Sequence, residues 1–142
     1  MVAETNQHNI EYLAIHANWP GANGEHKVVQ MYVLDKPYLR FAGKTTIHMH
    51  NGIMLSALSE FSIRIDRSMF HDKGLILPTD GCQVPGMGWA DVDLEKKTAT
   101  FFGLSKAYDL PIDPNHLEAI RPYLPEWSII IGSLTRRPNL LE

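Results

Sequence analysis

The chain has 142 residues, of which 44% are hydrophobic and 20% are charged, as in an ordinary globular protein. This length can bury one hydrophobic core, so we expect a single domain over residues 1–142. With 13 Lys and Arg against 16 Asp and Glu, the formal charge is −3. The sequence therefore has no basic excess for binding nucleic acid or an anionic membrane, and an anion would need a local site.

The single cysteine, Cys82, excludes an intramolecular disulfide framework and a cysteine-rich metal cluster. No apolar run reaches the ~18 residues that a membrane span requires. The polar segment Met1–Gln7 does not resemble a signal peptide. We expect a cytoplasmic protein without a nucleic-acid or membrane partner, and the sequence leaves a monomer and a homodimer open.

The first forty residues predict strands joined by turns. Asn9–Ala17 mixes apolar and polar residues and is a candidate strand. Lys27–Leu34 is rich in β-branched and aromatic residues and predicts a well-buried strand. We expect Asp35–Pro37 to interrupt that strand and Tyr38–Phe41 to form a short one after it.

Two structures compete over Thr45–Ile65. Asn51-Gly52 lies between apolar residues, as the two central residues of a tight hairpin do. Apolar residues at spacings of four and three instead favour one face of a helix, and they are Met54, Leu58 and Phe61. We favour a helix over 51–60 and a strand over 62–66, because the segment Ser-Ala-Leu-Ser-Glu suits a helix better than a strand.

The second half begins with Ser68–Gly88, which is rich in Gly, Pro, Asp and Thr and predicts a long loop. Loops of this length often carry function. Trp89–Leu94 and Thr98–Leu104 flank Glu95-Lys96-Lys97, and this pattern predicts a hairpin.

The last predicted helix is capped by Asp113, has Pro114 at its first position and ends at Pro125. Its buried stripe consists of Leu117, Ile120 and Leu124. The run Trp127–Ile131, which is apolar except for Ser128, then predicts a fully buried strand. Together these elements predict an α+β fold, with one mixed sheet packed by two helices.

Two possible sites are weak. His48-Met49-His50 would place both rings on one face of a strand, where they could bind a metal, but no carboxylate follows at a spacing that completes the site. Cys82 has no histidine near it in sequence to activate it, which favours an inert thiol. We therefore expect neither a metal nor a cofactor.

His50 is more informative if a helix begins beside it. The first-turn N–H groups point out of a helix end, and the helix dipole favours an anion there. The same field disfavours an imidazolium, so the ring would stay neutral and nucleophilic near pH 7. A neutral histidine beside an anion site suits phosphoryl chemistry, although a histidine at a helix start more often serves only as a cap.

A second candidate anion site is the turn Gly103–Tyr108. Such a turn can present a hydroxyl, a lysine and backbone N–H groups to an anion. The alternative is a plain connection between a strand and the second helix. Gly86-Met87-Gly88 is a weaker signal of the same kind, because glycine-rich turns before strands are common.

These segments occur in an order that resembles the Janus/Ocnus family, the small phosphohistidine phosphatases. The resemblance runs from about residue 24 to residue 131. Gly24–Val29 is similar to the family's G-x-x-K-Y-V strand, and Leu39-Arg40 is similar to the V-R that precedes the catalytic histidine. Met49–Ile53 resembles the Y-H-A-D-I motif, which contains that histidine.

The resemblance continues in the second half of the chain. Gly86–Trp89 lies over the family's G-G-G-R, and Thr100–Tyr108 resembles V-Y-G-Y-S-M-A-Y. The sequence departs from the family at Trp89, where the family has Arg, and at Asp109, where it has Gly. It also has Gly52 at the acidic position of the histidine motif.

The resemblance implies that His50 is the catalytic histidine. His48 is a rival, because the step from Arg40 to His50 is two residues longer than in the family. By the same resemblance, phosphate is bound by Lys27, Arg40, Ser105 and Ala107. The predicted helix start adds the amides of Asn51 and Gly52.

We therefore expect a metal-independent phosphatase that acts on phosphohistidine or a related phosphoramidate, either on a phosphorylated protein or on a small molecule. Two other functions stay open. Trp89 and the long loop after Ser68 favour a phosphate-binding or protein-interaction module without turnover on the same fold. A thioesterase-like hydrolase would instead place His50 at the head of a central helix against a curved sheet.

Overall fold

The computed structural model describes residues 15–42, 49–62 and 81–139. The strands and helices of these residues are β1 (Gly24–Val33), β2 (Lys36–Phe41), α1 (His50–Glu60), β3 (Cys82–Asp93), β4 (Thr98–Phe102), β5 (Leu104–Ser105), β6 (Leu110–Pro111), α2 (Pro114–Ile120) and β7 (Ser128–Ile131). Five strands form one sheet in the order β2-β1-β3-β4-β7, in which only the pair β4 and β7 is parallel. Strands β5 and β6 form a second, two-stranded sheet. The predicted α+β class with one main mixed sheet is confirmed.

The first hairpin is tighter than predicted. Leu34 and Asp35 have φ values of 50° and 68° and form its two-residue turn, so β2 already begins at Lys36. The predicted interruption over Asp35–Pro37 is therefore wrong beyond Asp35. Pro37 pairs with Tyr32 in the ladder, which is possible because β2 is an edge strand and needs no N–H donor on its outer side.

Helix α1 confirms the predicted helix over 51–60, extended by one residue to His50, and the competing hairpin at Asn51-Gly52 is wrong. The buried side chains at helical spacing explain why, and they are Ile53, Met54, Ala57 and Leu58. Of the strand predicted over 62–66, Ser62 lies in a turn after the helix, and the other residues lie outside the described ones. Of the candidate strand Asn9–Ala17, Ala17 makes one isolated bridge to Leu39.

Strand β3 begins earlier than predicted. The predicted loop over Ser68–Gly88 is wrong for Cys82–Gly88, whose backbone pairs with β1, with Gly86 opposite Gln30 and Gly88 opposite Val28. Residues 68–80 of that loop lie outside the described residues. The glycine at position 88 has a packing reason, because a Cβ there would lie 2.6 Å from Ile112 Cγ1. The predicted hairpin between Trp89 and Leu104 is formed by β3 and β4, although β4 ends at Phe102.

The two helices lie on opposite faces of the main sheet. Alternate residues of β1 point to opposite faces. Val29 and Met31 belong to the apolar cluster around α1. Val28 belongs to the cluster that contains Leu117 and Ile120 of α2. Val29 and Met31 therefore lie on the face of the sheet that α1 covers, and His50 begins that helix.

The prediction for α2 holds at its start. Asp113 Oδ1 accepts a hydrogen bond from Asn115 N at 3.0 Å, and Pro114 is the first helical residue. The predicted end of the helix at Pro125 is wrong, because α2 ends at Ile120 and a 3₁₀ turn over Arg121–Tyr123 follows it. Leu124, predicted in the buried stripe of the helix, lies beyond that turn and is half-buried. Within the described segments, no helix is long and apolar enough to span a membrane.

The predicted full burial of Trp127–Ile131 is wrong. Strand β7 pairs with β4 on one side and forms an edge of the main sheet. Ile129 is buried, but Ile130 and Ile131 are 47% and 37% exposed. An apolar run has the same composition in a central strand and in an edge strand, so the sequence pattern could not separate the two.

Candidate functional site

The candidate site begins with His50, the first residue of α1, which is only 5% exposed. Its Nε2 donates a hydrogen bond of 2.7 Å to the carbonyl oxygen of Gly88 in β3. Pairing between β3 and β4 starts at Trp89, so the imidazole reaches β3 where its pairing with β4 stops. The two segments that carry the histidine and glycine motifs of the sequence are therefore in direct contact.

The bond to Gly88 fixes the ring of His50. A carbonyl oxygen can only accept, so Nε2 holds the proton of this bond. In the neutral ring the lone pair then lies on Nδ1. The contact thus sets the orientation of the imidazole and the tautomer of its neutral form.

The start of α1 has an N-cap residue that cannot act as a polar cap. Met49 is extended, with φ −129° and ψ 152°, and its side chain makes no capping hydrogen bond. The first turn contains no acidic residue. Among the described residues, no N-cap or first-turn carboxylate therefore offsets the positive end of the helix dipole beside Gly52.

The β5–β6 hairpin docks on this helix start through Tyr108. Its hydroxyl donates to Asn51 Oδ1 at 2.7 Å. Ser105 is buried, and its Oγ accepts a hydrogen bond from Tyr108 N at 3.4 Å. Ala107 is exposed in the turn of the hairpin. The predicted site residues Asn51 and Ser105 are thus linked through Tyr108.

No pattern in the sequence assigns a role to Tyr108, although it closes the motif Thr100–Tyr108. Tyr108 and Asn51 are 57 positions apart in the chain, and no sequence pattern predicts a contact over that separation. Only the tertiary structure assigns it this link.

Lys27 and Trp89 form a cross-strand pair of β1 and β3. Lys27 lies two residues before Val29, so it shares the face that α1 covers. Its Nζ lies 5.5 Å from the centre of the Trp89 ring, in a cation–π arrangement. Trp89 follows Gly88 directly, so the lysine is one strand position away from the acceptor of His50.

Arg40 is not brought to this group. It is 1% exposed, and its Nε and Nη2 donate to the two carboxylate oxygens of Glu60 at 2.8 and 2.9 Å. Its Nη1 donates to the Leu39 carbonyl at 2.8 Å. Glu60 is the last residue of the helix that His50 begins, and the two ends lie about 15 Å apart.

The sequence likewise gives no sign that Glu60 is the partner of Arg40. Glu60 is the last residue of the predicted helix, and a glutamate on a helix surface is ordinary. The two side chains are 20 positions apart, and no spacing rule connects a strand residue with a helix end at that distance.

The described residues also include the single cysteine and side chains of the types that bind metals. Burial raises the pKa of the Cys82 thiol to about 11, so it stays protonated at neutral pH and is a poor nucleophile. Within residues 15–42, 49–62 and 81–139, no group of three or more His, Cys, Asp or Glu side chains is arranged to hold a metal ion. His48, the rival of His50, lies outside the described residues.

The start of α1 and its surroundings thus combine an oriented imidazole, a helix N-terminus, a lysine and a hairpin with a buried serine. Groups of these kinds bind tetrahedral oxyanions and transfer acyl or phosphoryl groups. No family model and no curated protein matches the chain.

Proposed function

We propose that the protein is a metal-independent phosphatase of phosphoramidates, with phosphohistidine as the preferred substrate class. The observation that carries the proposal is the placement of His50. Its ring is held by the Gly88 carbonyl at a helix start whose N-cap, Met49, makes no side-chain hydrogen bond. The substrate class comes from the resemblance of the histidine, glycine and serine segments to the Janus/Ocnus family.

In this proposal the phosphoryl group lies over the first turn of α1, near Gly52. Its negative charge is spread over three oxygens in the transition state, and donors that are already in place lower the barrier. The helix dipole and the ammonium group of Lys27 supply the positive field. Nδ1 of His50 either attacks phosphorus or takes a proton from the attacking water.

Lys27 and the β5–β6 hairpin have different tasks in this mechanism. The lysine sits over Trp89, which limits the positions of its ammonium group. The hairpin forms the other wall, and Tyr108 anchors it to Asn51. The substrate is a cytoplasmic phosphorylated protein or a small phosphoramidate.

The test is phosphate release from phosphoramidate and from a peptide that carries phosphohistidine, both in the presence of EDTA. We expect turnover by the wild type and a loss of about 10²-fold or more in His50→Ala, the usual contribution of a positioned acid or base. His26→Ala is the matched control, because His26 bonds to Ala22 O near the surface, away from α1. An inactive wild type, or His50→Ala at the wild-type rate, would overturn the proposal.

A second candidate is a phosphate-binding module without turnover. It is favoured by the ion pair of Arg40 and by the presence of Trp89. The carboxylate of Glu60 already neutralises Arg40. Trp89 occupies the position at which the family that the chain resembles has a second arginine. Fewer cations would then face a phosphoryl group. Saturable binding of inorganic phosphate by a wild type that hydrolyses neither substrate would select this candidate.

A further inference from the structure

A second polar cluster lies on the opposite face of the sheet from His50. The side chain of Gln30 is fully buried. Its Oε1 accepts from Asp113 N at 2.7 Å, and its Nε2 donates to Asp113 O at 2.9 Å and approaches His116 Nδ1 at 3.2 Å. We call this arrangement the Gln30 clasp. One amide group thus holds both backbone polar groups of the residue that caps α2.

The clasp needs the glycine opposite it. Gly86 pairs with Gln30 across the β1–β3 ladder. A Cβ at position 86 would overlap Gln30 Oε1 and would lie 2.6 Å from Asp113 N. The amide therefore occupies the space that any other residue would fill.

The hydrogen-bond pattern of the clasp requires a neutral His116. The ring is completely buried, and its Nε2 donates to the Met31 carbonyl at 2.8 Å. Its Nδ1 must then be the acceptor for Gln30 Nε2. A protonated ring would place a second N–H against the amide N–H of Gln30.

Turning the Gln30 amide over does not resolve this conflict. It would bring Oε1 to the proton on His116, but it would bring Nε2 against the N–H of Asp113. A donor would then face a donor at the start of α2. Protonation of His116 and an intact clasp on Asp113 therefore exclude each other.

The surroundings of His116 include groups that lower the pKa of its imidazole and groups that raise it. Burial lowers the pKa of its imidazole, and this effect is larger than the opposing ones from the Met31 carbonyl, the Asp113 carboxylate and the Tyr38 backbone. Tyr32 of β1 presents its ring edge at 4.9 Å between centroids, and its own pKa is raised by burial and by Asp113. Among the described residues, Asp113 is the charged group that acts on the ring.

We propose that the Gln30 clasp is an acid-sensitive latch, which opens when His116 takes up a proton and then releases the connection between β6 and α2. Asp113 lies two residues after β6, so its release loosens the base of the β5–β6 hairpin as well as the start of the helix. The hairpin carries Ser105 and Tyr108. The latch would thus regulate one wall of the candidate site, whether or not His50 is catalytic.

The direction of the pH effect follows from the lowered pKa. The unfolded chain binds a proton at the ordinary value of 6.5, whereas the folded chain binds it only at lower pH. The contribution of the neutral ring to stability is complete above 6.5 and is lost as the pH falls from there through the folded-state pKa.

The test follows two signals of the isotope-labelled full chain from above to below pH 6.5. One is the ring resonance of His116, and the other is the hydrogen-exchange rate of the Asp113 amide, corrected for its intrinsic pH dependence. We expect exchange to quicken about tenfold or more at the midpoint of the ring titration, while the Val29 amide in β1 keeps its protection. A titrating ring with unchanged exchange at Asp113, or simultaneous loss at Val29, would overturn the latch.

Two variants sharpen the test. In Gln30→Glu a carboxylate oxygen replaces Nε2, so the bond to Asp113 O is lost but a protonated His116 gains an acceptor. We therefore expect the midpoint of the His116 ring titration to move to higher pH. In His116→Gln the pH-dependent change in Asp113 exchange should disappear, and the control His26→Gln, at a half-buried position outside the clasp, should keep it. If His116→Gln does not fold, the comparison of wild type with Gln30→Glu decides alone, and an unchanged midpoint contradicts the proposal.

Discussion

The starts of the two helices share a buried histidine but differ in how they are capped. His50 donates from Nε2 to Gly88 O at 2.7 Å, and His116 donates from Nε2 to Met31 O at 2.8 Å. At α2 the Asp113 carboxylate accepts from Asn115 N. At α1 the N-cap is Met49, whose side chain makes no such bond.

This difference separates a structural histidine from a candidate functional one. The Gln30 amide holds His116 inside a network that also holds the backbone of Asp113. His50 instead stands where a helix dipole is not offset by its own N-cap, beside a hairpin that carries a serine. Burial alone does not distinguish the two rings, whereas the chemistry of the N-cap does.

The largest expected difference between the two histidines is their contribution to the free energy of unfolding. We expect His116→Ala to lower the free energy of unfolding by about 2–4 kcal/mol, because it leaves a cavity and removes partners from buried polar groups. His50→Ala also removes a buried ring and its bond to Gly88 O, but we expect a smaller loss of about 1–2 kcal/mol, because His116 belongs to the network that holds the N-cap of α2. Urea denaturation at neutral pH measures both, and a larger loss in His50→Ala would reverse the roles assigned here.

The cap of α2 should have a smaller, local effect. Asp113→Ala removes the acceptor for Asn115 N but keeps the backbone groups that Gln30 binds. We expect a loss of about 1 kcal/mol in the free energy of unfolding and no change in phosphate release. The same denaturation experiment and the phosphate assay check this, with Asp113→Asn as the variant that preserves capping.

A new cap on α1 should have the smallest effect on stability and should act on the ligand instead. Met49 is 55% exposed and extended, which is the conformation of a polar N-cap. Met49→Asp should add about 0.5 kcal/mol to the free energy of unfolding and weaken phosphate binding about tenfold, because its carboxylate repels the anion. Met49→Leu is the neutral control, and equal phosphate affinity in both variants would contradict the assignment.

Local sequence signals predicted much of this fold. The spacing of Met54 and Leu58 gave α1 to within one residue, and the pair Asp113-Pro114 gave the start of α2, because caps and helical faces depend on neighbours in the chain. The predicted burial of β7 is wrong, because the exposure of Ile130 depends on the position of β7 in the strand order, which the local sequence does not show.

In the candidate site, too, the features set by neighbouring residues were predictable and the contacts between distant elements were not. His50 could be placed at a helix start from the residues around it. The ion pair of Arg40 with Glu60 and the bond of Tyr108 to Asn51 could not be predicted, because each joins elements that are distant in sequence. The sequence also gives no sign that His116 differs from His50, since only the register of Gln30 on β1 brings the clasp to it.

The most direct test of the central claim is a titration of the backbone amide resonances with inorganic phosphate. If the start of α1 holds the phosphoryl group, the Gly52 amide should shift and saturate, while the Asn115 amide at the capped start of α2 stays in place. An unmoved Gly52 amide, or equal shifts at the two helix starts, would contradict the account.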